Sequence, residues 1–521
     1  MKLKHYVLTA VILCSGLSAW AQRWDNYKPD DETVKLTETN LPIVFLNVKG
    51  QQIDRDGRIT ARMKIIDNGF GSVNYGDTLR HPNQLINYEG FVALKYRGNS
   101  SFTNSDKKPY SFRPLDRPLE EGGVKMKVKI LGMGKDNNWA LQAPYTDKSM
   151  MRDMLSFDLA RPWLEYVPQG KYCELILDGT YYGVYILSEL VTKGKKRLNL
   201  SDPGISGDSL TGGYLVEVDR QDAYGFTSKY GPVDNDGNEI MFKSIYYQYK
   251  FPEYEDMVSP QFTYLQGKID EMEKAFSDID GRSGSSNYRQ LIDVQSFIDF
   301  QLSMELAHNV DGYRLSSKLY KRCDTEDGRW KLSLWDMALG FGNSDYYEGW
   351  RTDTWIWQNN EELSYANDEQ LVPFWWYQLS KDPQYVNELK ARWKQYRNSN
   401  YSNANINAKI DSVANLLKAK GAVARNSQAW PRWGRRVWPN KYISVDFDDE
   451  IRYLKNWIAN RLKWMDQELG YSSTAIVGVE KDKRARTVIG IYTLDGRRIQ
   501  RPQKGINVIR YSDGTSEKYV H

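Results

Sequence analysis

The sequence predicts an α+β protein with a β-rich first half, a helical second half and a small β module at its C-terminal end. Three observations predict this arrangement. Short apolar, β-branched runs bounded by Gly and Asp dominate residues 41–190. Apolar residues spaced three to four positions apart dominate residues 293–470. Near residue 471 the chain changes again, to short β-type runs around a Leu-Asp-Gly turn.

The first half contains six predicted strands and one predicted helix. In chain order the strands are Leu41–Val48, Ile59–Ile66, Phe91–Tyr96, Lys108–Phe112, Tyr172–Leu177 and Tyr181–Leu187. Asp178-Gly179 lies between the last two strands and predicts a tight hairpin turn. Methionines and leucines on one side of residues 148–159 predict the helix.

The second half is predicted to be mainly helical. Asp293 is a typical N-cap for an amphipathic helix over residues 294–308, and the same apolar spacing recurs over residues 406–417 and 451–465. Two strands, Lys318–Lys321 and Trp330–Leu334, are expected to form a hairpin after the first helix. Residues 279–287 are rich in Gly and Ser and predict a loop or lid.

The N-terminus has the organisation of a secretory signal peptide. Lys2 and Lys4 precede an apolar run from Tyr6 to Leu13, and an Ala-x-Ala site ends at Ala21. We expect cleavage after Ala21 and a secreted or outer cell-surface location, with the periplasm as the alternative. No later stretch reaches the ~18 apolar residues of a membrane span, so none is expected.

Charge and residue counts exclude several classes of function. The net charge is +4, but residues 471–521 hold 10 basic and 5 acidic residues, so residues 22–470 carry 59 basic against 62 acidic. This balance gives no reason to expect a nucleic-acid partner. Only His81 and His308 lie in the predicted folded body, which excludes a His-rich metal site. Cys173 and Cys323 cannot form a zinc site, and their pairing and the oligomeric state stay open.

A short loop after the third strand is the first candidate for binding chemistry. Arg97, Gly98, Asn99, Ser100 and Ser101 combine a glycine with small polar side chains, which leaves backbone N–H groups free to approach an anion. The following Lys107-Lys108 could meet that anion. The same pattern is also typical of an ordinary hairpin turn with solvated lysines.

Two aspartates form the second candidate. Asp311 follows the helix over residues 294–308, and Asp336 follows the predicted strand hairpin, so their carboxylates can converge. Phosphoryl transfer needs one carboxylate near the attacking hydroxyl and another that holds Mg²⁺ against the phosphates. Aspartates at loop ends are also common for turn chemistry alone.

Five motifs in order resemble the CotH kinase family, the spore-coat CotH-like proteins. They are Arg97–Ser101, Lys107–Arg113, Leu131–Arg152, Glu174–Glu189 and Trp335-Asp336, within a resemblance over about residues 41–470. The resemblance implies an atypical two-lobed protein-kinase-like fold that is secreted or surface located. It also implies transfer of phosphate from ATP, with Mg²⁺ or Mn²⁺, to Ser or Thr of protein substrates at the cell surface or outside the cell.

The resemblance also assigns roles to residues of this chain. Arg97–Ser101 would lie over the phosphates, and Lys108, with Lys107 as the alternative, would be the phosphate-binding lysine. Asp311 would be the catalytic aspartate and a second metal contact, and Asp336 the main metal ligand. Glu189 would lie near the adenine or be structural.

Two departures from the family pattern leave a different function open. Ala338 stands where many members have a second acid, and Ser316 or Ser317 where an asparagine is expected; Asn343 is a candidate for a substitute oxygen ligand. The alternative is therefore a non-catalytic pseudokinase or surface adhesin. The 17 tryptophans, three of them in residues 430–438, also allow a carbohydrate-binding protein or a hydrolase.

The predicted organisation has five parts. They are a signal peptide at 1–21, a β-rich segment at 22–90, an N-lobe at 91–210, a C-lobe at 211–470 and a small module at 471–521. The last part resembles the C-terminal sorting modules of Bacteroidetes type IX secretion, and an accessory β-domain is the other interpretation.

Overall fold

The computed structural model of the protein describes residues 27–282, 286–472, 488–493, 496–511 and 516–520. The chain divides into two compact units, Met1–Tyr471 and Ser472–His521. The predicted signal peptide and residues 283–285 of the predicted loop lie outside the described residues.

The first half contains nine strands, and seven of them close into a barrel. In chain order the strands are β1 Glu38–Thr39, β2 Ile43–Asn47, β3 Ile59–Ile66, β4 Asn74–Tyr75, β5 Ile86–Tyr96, β6 Tyr110–Leu115, β7 Trp139–Gln142, β8 Gly170–Leu177 and β9 Thr180–Ser188. The barrel order is β2-β3-β5-β6-β7-β9-β8, and β8 closes it by pairing in parallel with β2. β1 and β4 pair separately. All six predicted strands are therefore present, with boundaries that differ by a few residues.

Local chemistry explains where the predicted and observed boundaries differ. Asp178 and Gly179 both have positive φ, as the tight β8–β9 turn requires. β6 begins at Tyr110 rather than Lys108, because Pro109 has no N–H to donate to a neighbouring strand. The helix predicted from 148 begins at Arg152, because the Asp147 carboxylate accepts hydrogen bonds from the Ser149 and Arg152 N–H groups and holds the preceding turn.

A second sheet of five strands begins the second half. Its strands are β10 Tyr214–Val218, β11 Gly225–Thr227, β12 Tyr246–Phe251, β13 Ser317–Lys321 and β14 Lys331–Ser333, in the antiparallel order β11-β12-β10-β13-β14. The predicted hairpin of β13 and β14 is confirmed. The three other strands extend that hairpin and were not predicted.

Helices make up most of the remaining chain. In chain order they are α1 Ser100–Thr103, α2 Arg152–Ala160, α3 Gly207–Thr211, α4 Ser259–Ser277, α5 Tyr288–Leu291, α6 Val294–Ala307, α7 Asp324–Asp327, α8 Asn360–Tyr365, α9 Trp375–Ser380, α10 Pro383–Arg397, α11 Asn403–Lys418, α12 Ala422–Ala429 and α13 Phe447–Glu468. Single 3₁₀ turns occur at Pro29–Asp31, Leu119–Glu121, Tyr254–Asp256 and Ile356–Gln358. The predicted N-cap is confirmed, since the Asp293 carboxylate accepts a hydrogen bond from the Ser296 N–H of α6.

Aromatic packing holds the helical part together. Phe276 of α4 stacks on Trp375 of α9, with ring centroids 5.8 Å apart. Phe297 of α6 is tilted against the same Trp375 ring, at 6.2 Å. Phe300, one turn further along α6, stacks on Trp376 at 5.9 Å. Such rings bury large apolar areas, so α6 is firmly fixed where its C-terminal end reaches Asp311.

The α+β class and the order of β-rich and helical parts are confirmed. The C-terminal unit contains β15 Val488–Thr493, β16 Arg498–Ile499, β17 Ile506–Tyr511 and β18 Ser516–Val520, in the order β16-β15-β17-β18. Cys173 and Cys323 are both buried and unpaired. Within the described ranges, we find no helix with the length and apolar character needed to cross a membrane.

Candidate active site

Three segments singled out in the sequence line one cavity of about 370 Å³. The loop Arg97–Ser101 follows β5 of the barrel, Asp311 follows α6, and Asp336 follows β14. Ala143 and Pro144, which follow β7, complete the barrel side. The cavity therefore lies where the end of the barrel meets the five-stranded sheet.

The loop over the cavity depends on a glycine and a stacked arginine. Gly98 has φ +86°, and a Cβ at this position would come 2.1 Å from Ser101 Oγ, so only glycine fits the turn. The Arg97 guanidinium lies 5.0 Å from the ring centre of Trp335. Enclosure by protein lowers the pKa of Arg97, while the carboxylates of Asp336 and Asp153 act in the opposite direction. The result is a half-buried cation within electrostatic range of both carboxylates.

One asparagine ties the segments of the two predicted aspartates together. Asn309 is buried; its Nδ2 donates to the Asp336 carbonyl at 2.9 Å, and its Oδ1 accepts from the Asp311 N–H at 3.3 Å. Arg314 donates to Asp311 Oδ1 at 2.9 Å and, through another nitrogen, to Asp368. Asp311 is therefore held on both its backbone and its side chain.

The Asp336 carboxylate is open to the cavity and is surrounded by protein at its base. Its backbone has φ +56°, an uncommon conformation for a non-glycine residue. Enclosure in the cavity raises the pKa of Asp336 to about 6; the negative charge of Asp311 adds to this, and Arg97 opposes it.

Besides Asp311 and Asp336, the cavity is lined by four acids that were not predicted as site residues: Asp147, Asp153, Asp219 and Asp222. Asp153 is the second residue of α2, and its Oδ1 accepts from the Met337 N–H at 2.7 Å. Enclosure raises the pKa of Asp153 to about 7, with Asp336 as the next cause. Asp219, directly after β10, accepts from the Ser316 N–H at 3.1 Å. Asp153 directly follows the Leu131–Arg152 motif, whereas Asp219 follows β10, a strand that the sequence pattern did not predict.

The structure does not bring Lys108 or Glu189 into the cavity. Lys108 Nζ donates to the Phe102 carbonyl at 2.6 Å and lies over the Phe102 ring. Lys107 is buried and donates to Asn426 Oδ1 at 3.0 Å. Glu189 is buried against Gln169, whose N–H donates to it at 3.1 Å. The role of Lys108 on the phosphates and the role of Glu189 near adenine stay predictions without support from these positions.

The acidic residues of the cavity fit a small divalent cation. Carboxylate oxygens are the ligands that Mg²⁺ prefers, and the raised pKa values of Asp153 and Asp336 indicate negative charge that protein cations do not fully balance. Among the described residues, no group of three His, Cys, Asp or Glu forms a complete cation site. Mg²⁺ commonly uses only one or two carboxylates together with substrate phosphates, so this set is sufficient.

The two departures from the family pattern are visible at the site. Ala338 lines the cavity, and so does Ser316. Asn343, the candidate for a substitute oxygen ligand, is buried and is not among the residues that line the cavity, and its Oδ1 accepts a hydrogen bond from Asn440 Nδ2 at 2.8 Å. Asp153, on a different element, is another carboxylate that lines the cavity.

The tryptophans named for carbohydrate binding have structural partners. The indole N–H of Trp430 donates to the Tyr182 carbonyl at 2.8 Å, and that of Trp433 donates to Ser427 Oγ at 2.8 Å. Trp438 lines the cavity and stacks on Tyr346, with ring centroids 5.7 Å apart. These contacts favour packing around the cavity over an open sugar-binding platform.

Comparison with known proteins agrees with the site. The family model described as CotH kinase protein matches residues 94–465, a range that includes the Arg97–Ser101 loop, Asp311 and Asp336. A search of curated proteins finds no match. Because the family match covers more than half of the chain, this protein belongs to the CotH kinase family.

Proposed function

We propose that this protein is an exported, ATP-dependent protein kinase that phosphorylates Ser or Thr of proteins at the cell surface or outside the cell. The observation that carries the proposal is the meeting of the Arg97–Ser101 loop, Asp311 and Asp336 in one cavity. Membership of the CotH kinase family supports a kinase activity in general terms. The residues around the cavity supply the more specific roles.

The nucleotide phosphates would lie between the Arg97–Ser101 loop and Asp336. Arg97 contributes positive charge, and the glycine turn allows a close backbone approach. Asp336 and Asp153 would hold Mg²⁺ or Mn²⁺, which neutralises charge on the phosphate oxygens. Their raised pKa values favour release of protons when such a cation binds.

Asp311 would act on the protein substrate. It accepts the proton of the acceptor hydroxyl as that oxygen bonds to the γ-phosphorus. The bond from this phosphorus to the β–γ bridging oxygen breaks, and ADP leaves with the electron pair. Arg314 and Asn309 hold Asp311 in position for this step.

The predicted organisation of the chain belongs to the same proposal. The barrel side would be the N-lobe, residues 91–210, and the remainder up to residue 470 the C-lobe. The sequence of residues 1–21 favours export by a signal peptide. The segment 471–521 would serve as a sorting module for secretion.

A radiolabel transfer assay tests this function. Residues 22–521 are incubated with γ-labelled ATP and Mg²⁺ or Mn²⁺, with casein as acceptor. We expect label on casein or on the protein itself, and Asp311→Asn should lower kcat by about 10²- to 10⁴-fold. Asp270→Asn, which alters a surface ion pair with Lys229, serves as the matched control and should keep full activity.

Absence of label together with absence of any ATP-dependent shift in melting temperature would contradict the proposal. Ala338 at the cavity favours one other candidate, a pseudokinase that binds nucleotide without transferring phosphate. That candidate predicts an ATP-dependent melting shift with no label transfer. The two functions are therefore separated by the same pair of measurements.

A further inference from the structure

The cavity contains a lysine that the sequence motifs do not mark. Lys250 of β12 is the only lysine among the described residues that line the cavity. It lies on the five-stranded sheet, across the cavity from the Arg97–Ser101 loop. Lys108, in contrast, is held by the Phe102 carbonyl outside the cavity.

Lys250 is part of a row of three charged side chains across neighbouring strands. Its Nζ lies 2.8 Å from Glu217 Oε2 on β10, and Lys318 on β13 binds the other oxygen of Glu217. Glu217 and Lys318 are direct cross-strand partners. Because side chains alternate along a strand, Glu217 points away from the apolar face formed by Val216 and Val218.

Within this row two ammonium groups share one carboxylate, while Asp219 and Asp222 at the same cavity also act on Lys250. Glu217 has a single negative charge and contacts two lysines. Burial raises the pKa of Glu217, but the two ammonium groups outweigh this and lower it to about 2, so the group is ionised. Lys318 is nearly enclosed, with 11% of its side chain exposed, whereas Lys250 is 32% exposed and faces the cavity. Lys250 is therefore the cation of this row that is accessible from the cavity.

We propose that Lys250 binds the polyphosphate of the nucleotide, with Glu217 as its positioning residue and Lys318 as the counter-charge that leaves Lys250 available. The inference rests on the proposed nucleotide-dependent function and names a residue for it. A point charge that donates up to three hydrogen bonds suits phosphate oxygens. Glu217 restricts the flexible lysine before the ligand arrives, which lowers the entropy cost of binding.

Calorimetry of nucleotide binding tests the assignment. Lys250→Met should weaken MgATP binding by about 10- to 100-fold, the expected loss of one or more charged hydrogen bonds. AMP, which has a single phosphate, should lose much less affinity, and Lys250→Arg should restore part of the ATP affinity. Lys229→Met is the matched control, because Lys229 also pairs with one carboxylate but lies outside the cavity.

The positioning role of Glu217 can be tested separately. Glu217→Gln should reduce the ratio of ATP affinity to AMP affinity, because Lys250 is no longer held toward the phosphates. A purely structural role for Glu217 would instead lower the melting temperature with this ratio unchanged. That result would overturn its part in the proposal.

The outcomes separate this inference from the proposed function. If the unaltered protein binds no nucleotide, the proposed function and this inference both fail. If it binds MgATP and Lys250→Met binds it equally well, only the assignment of Lys250 is wrong. If Lys108→Met weakens ATP binding more than Lys250→Met does, the lysine predicted from the sequence is the correct one and the present inference is overturned.

Discussion

The site concentrates acidic side chains more than an ordinary surface does. Enclosure raises the pKa of Asp153 to about 7 and that of Asp336 to about 6; the charge of Asp336 adds to the shift of Asp153, and the charge of Asp311 adds to that of Asp336. Their unfolded values are near 3.9, so the folded protein binds protons more tightly than the unfolded chain. The stability that this pair contributes is complete below about pH 4 and is lost as the pH rises through 6 to 7.

Neutralising one acid should therefore stabilise the metal-free protein. At pH 8, Asp153→Asn should raise the free energy of unfolding by about 1 kcal/mol, because water in the open cavity screens part of the repulsion. At pH 4 the gain should vanish. The amide oxygen keeps the acceptor for the Met337 N–H, so the fold is retained. Urea unfolding in EDTA at both pH values measures this effect, and an equal change at pH 4 and pH 8 would contradict the explanation.

Stabilisation by Mg²⁺ should increase as the pH rises, whereas the stability that the protonated acids contribute decreases. Protons and Mg²⁺ compete for the same carboxylates, so saturating Mg²⁺ should raise the melting temperature more at pH 8 than at pH 5.5. Asp336→Asn should abolish most of this shift. Asp411→Asn, which removes an exposed partner of Lys455, is the control and should leave the shift unchanged. A pH-independent shift would indicate that Mg²⁺ binds elsewhere.

For the residues of the cavity, the sequence predicted which chain segments form the site better than it predicted where single side chains point. Arg97, Asp311 and Asp336 line the cavity as expected, because each directly follows a well-marked strand or helix. Lys108 does not, because Pro109 delays the start of β6 and the lysine is held outside the cavity by Phe102. Lys250 was missed because strand pairing, which a single sequence does not specify, decides what faces the cavity.

Among the elements, α6 and α13 are joined by a buried ion pair close to the site. Arg461 of α13 donates to the Glu305 carbonyl at 2.8 Å and lies 3.1 Å from Glu305 Oε2, and neither side chain is more than 1% exposed. Nη1 of Arg461 donates to the carbonyls of both Thr352 and Thr354. Glu305 lies two residues before the end of α6, so this pair fixes the helix end that leads to Asp311.

Breaking the ion pair between Arg461 and Glu305 should lower the free energy of unfolding substantially. Arg461→Leu leaves the Glu305 carboxylate buried without its cation and should lower the free energy of unfolding by about 3–5 kcal/mol. Adding Glu305→Gln should recover part of the loss, because a neutral amide is cheaper to bury. Arg452→Leu, on an exposed position of the same helix, should cost less than about 1 kcal/mol. Denaturant unfolding measures all three, and equal losses from Arg461→Leu and Arg452→Leu would contradict the structural role.

Elements with a clear period were predictable, and those without one were not. The helices around residues 294–308, 406–417 and 451–465 have apolar spacing that only a helix satisfies, and all three are present. β12 is rich in tyrosine and polar residues, and Glu217 interrupts the apolar run of β10, because one face packs on the core while the other carries Glu217 and Lys250. Because of this mixed pattern, the sequence did not predict the five-stranded sheet that forms one side of the cavity.

For the whole molecule, charge is divided unevenly along the chain. Residues 22–470 carry 59 basic and 62 acidic residues, whereas residues 471–521 carry 10 and 5. The division coincides with the boundary between the two compact units at Tyr471 and with the end of the family match at residue 465. The first unit is therefore close to neutral, whereas the second is basic.

Removing the C-terminal unit should leave the site intact. A shortened chain of residues 22–472 keeps α13 and Tyr471, whose hydroxyl donates to Asn398 Oδ1 at 2.9 Å. We expect it to unfold in one cooperative transition and to show the same MgATP-dependent melting shift as residues 22–521. Its net charge changes from +2 to −3, so it should also elute later from an anion-exchange column at pH 8.

A shorter chain ending at residue 460 is the informative comparison. It lacks Arg461 and the last turns of α13, so it leaves Glu305 unpaired and should lose both the cooperative transition and the MgATP-dependent shift. If residues 22–472 behaved like residues 22–460, the C-terminal unit would be required for the fold, and residues 471–521 could not be a dispensable sorting module. If only residues 22–460 fail, the kinase-like unit ends with α13 and its chemistry is independent of the basic tail.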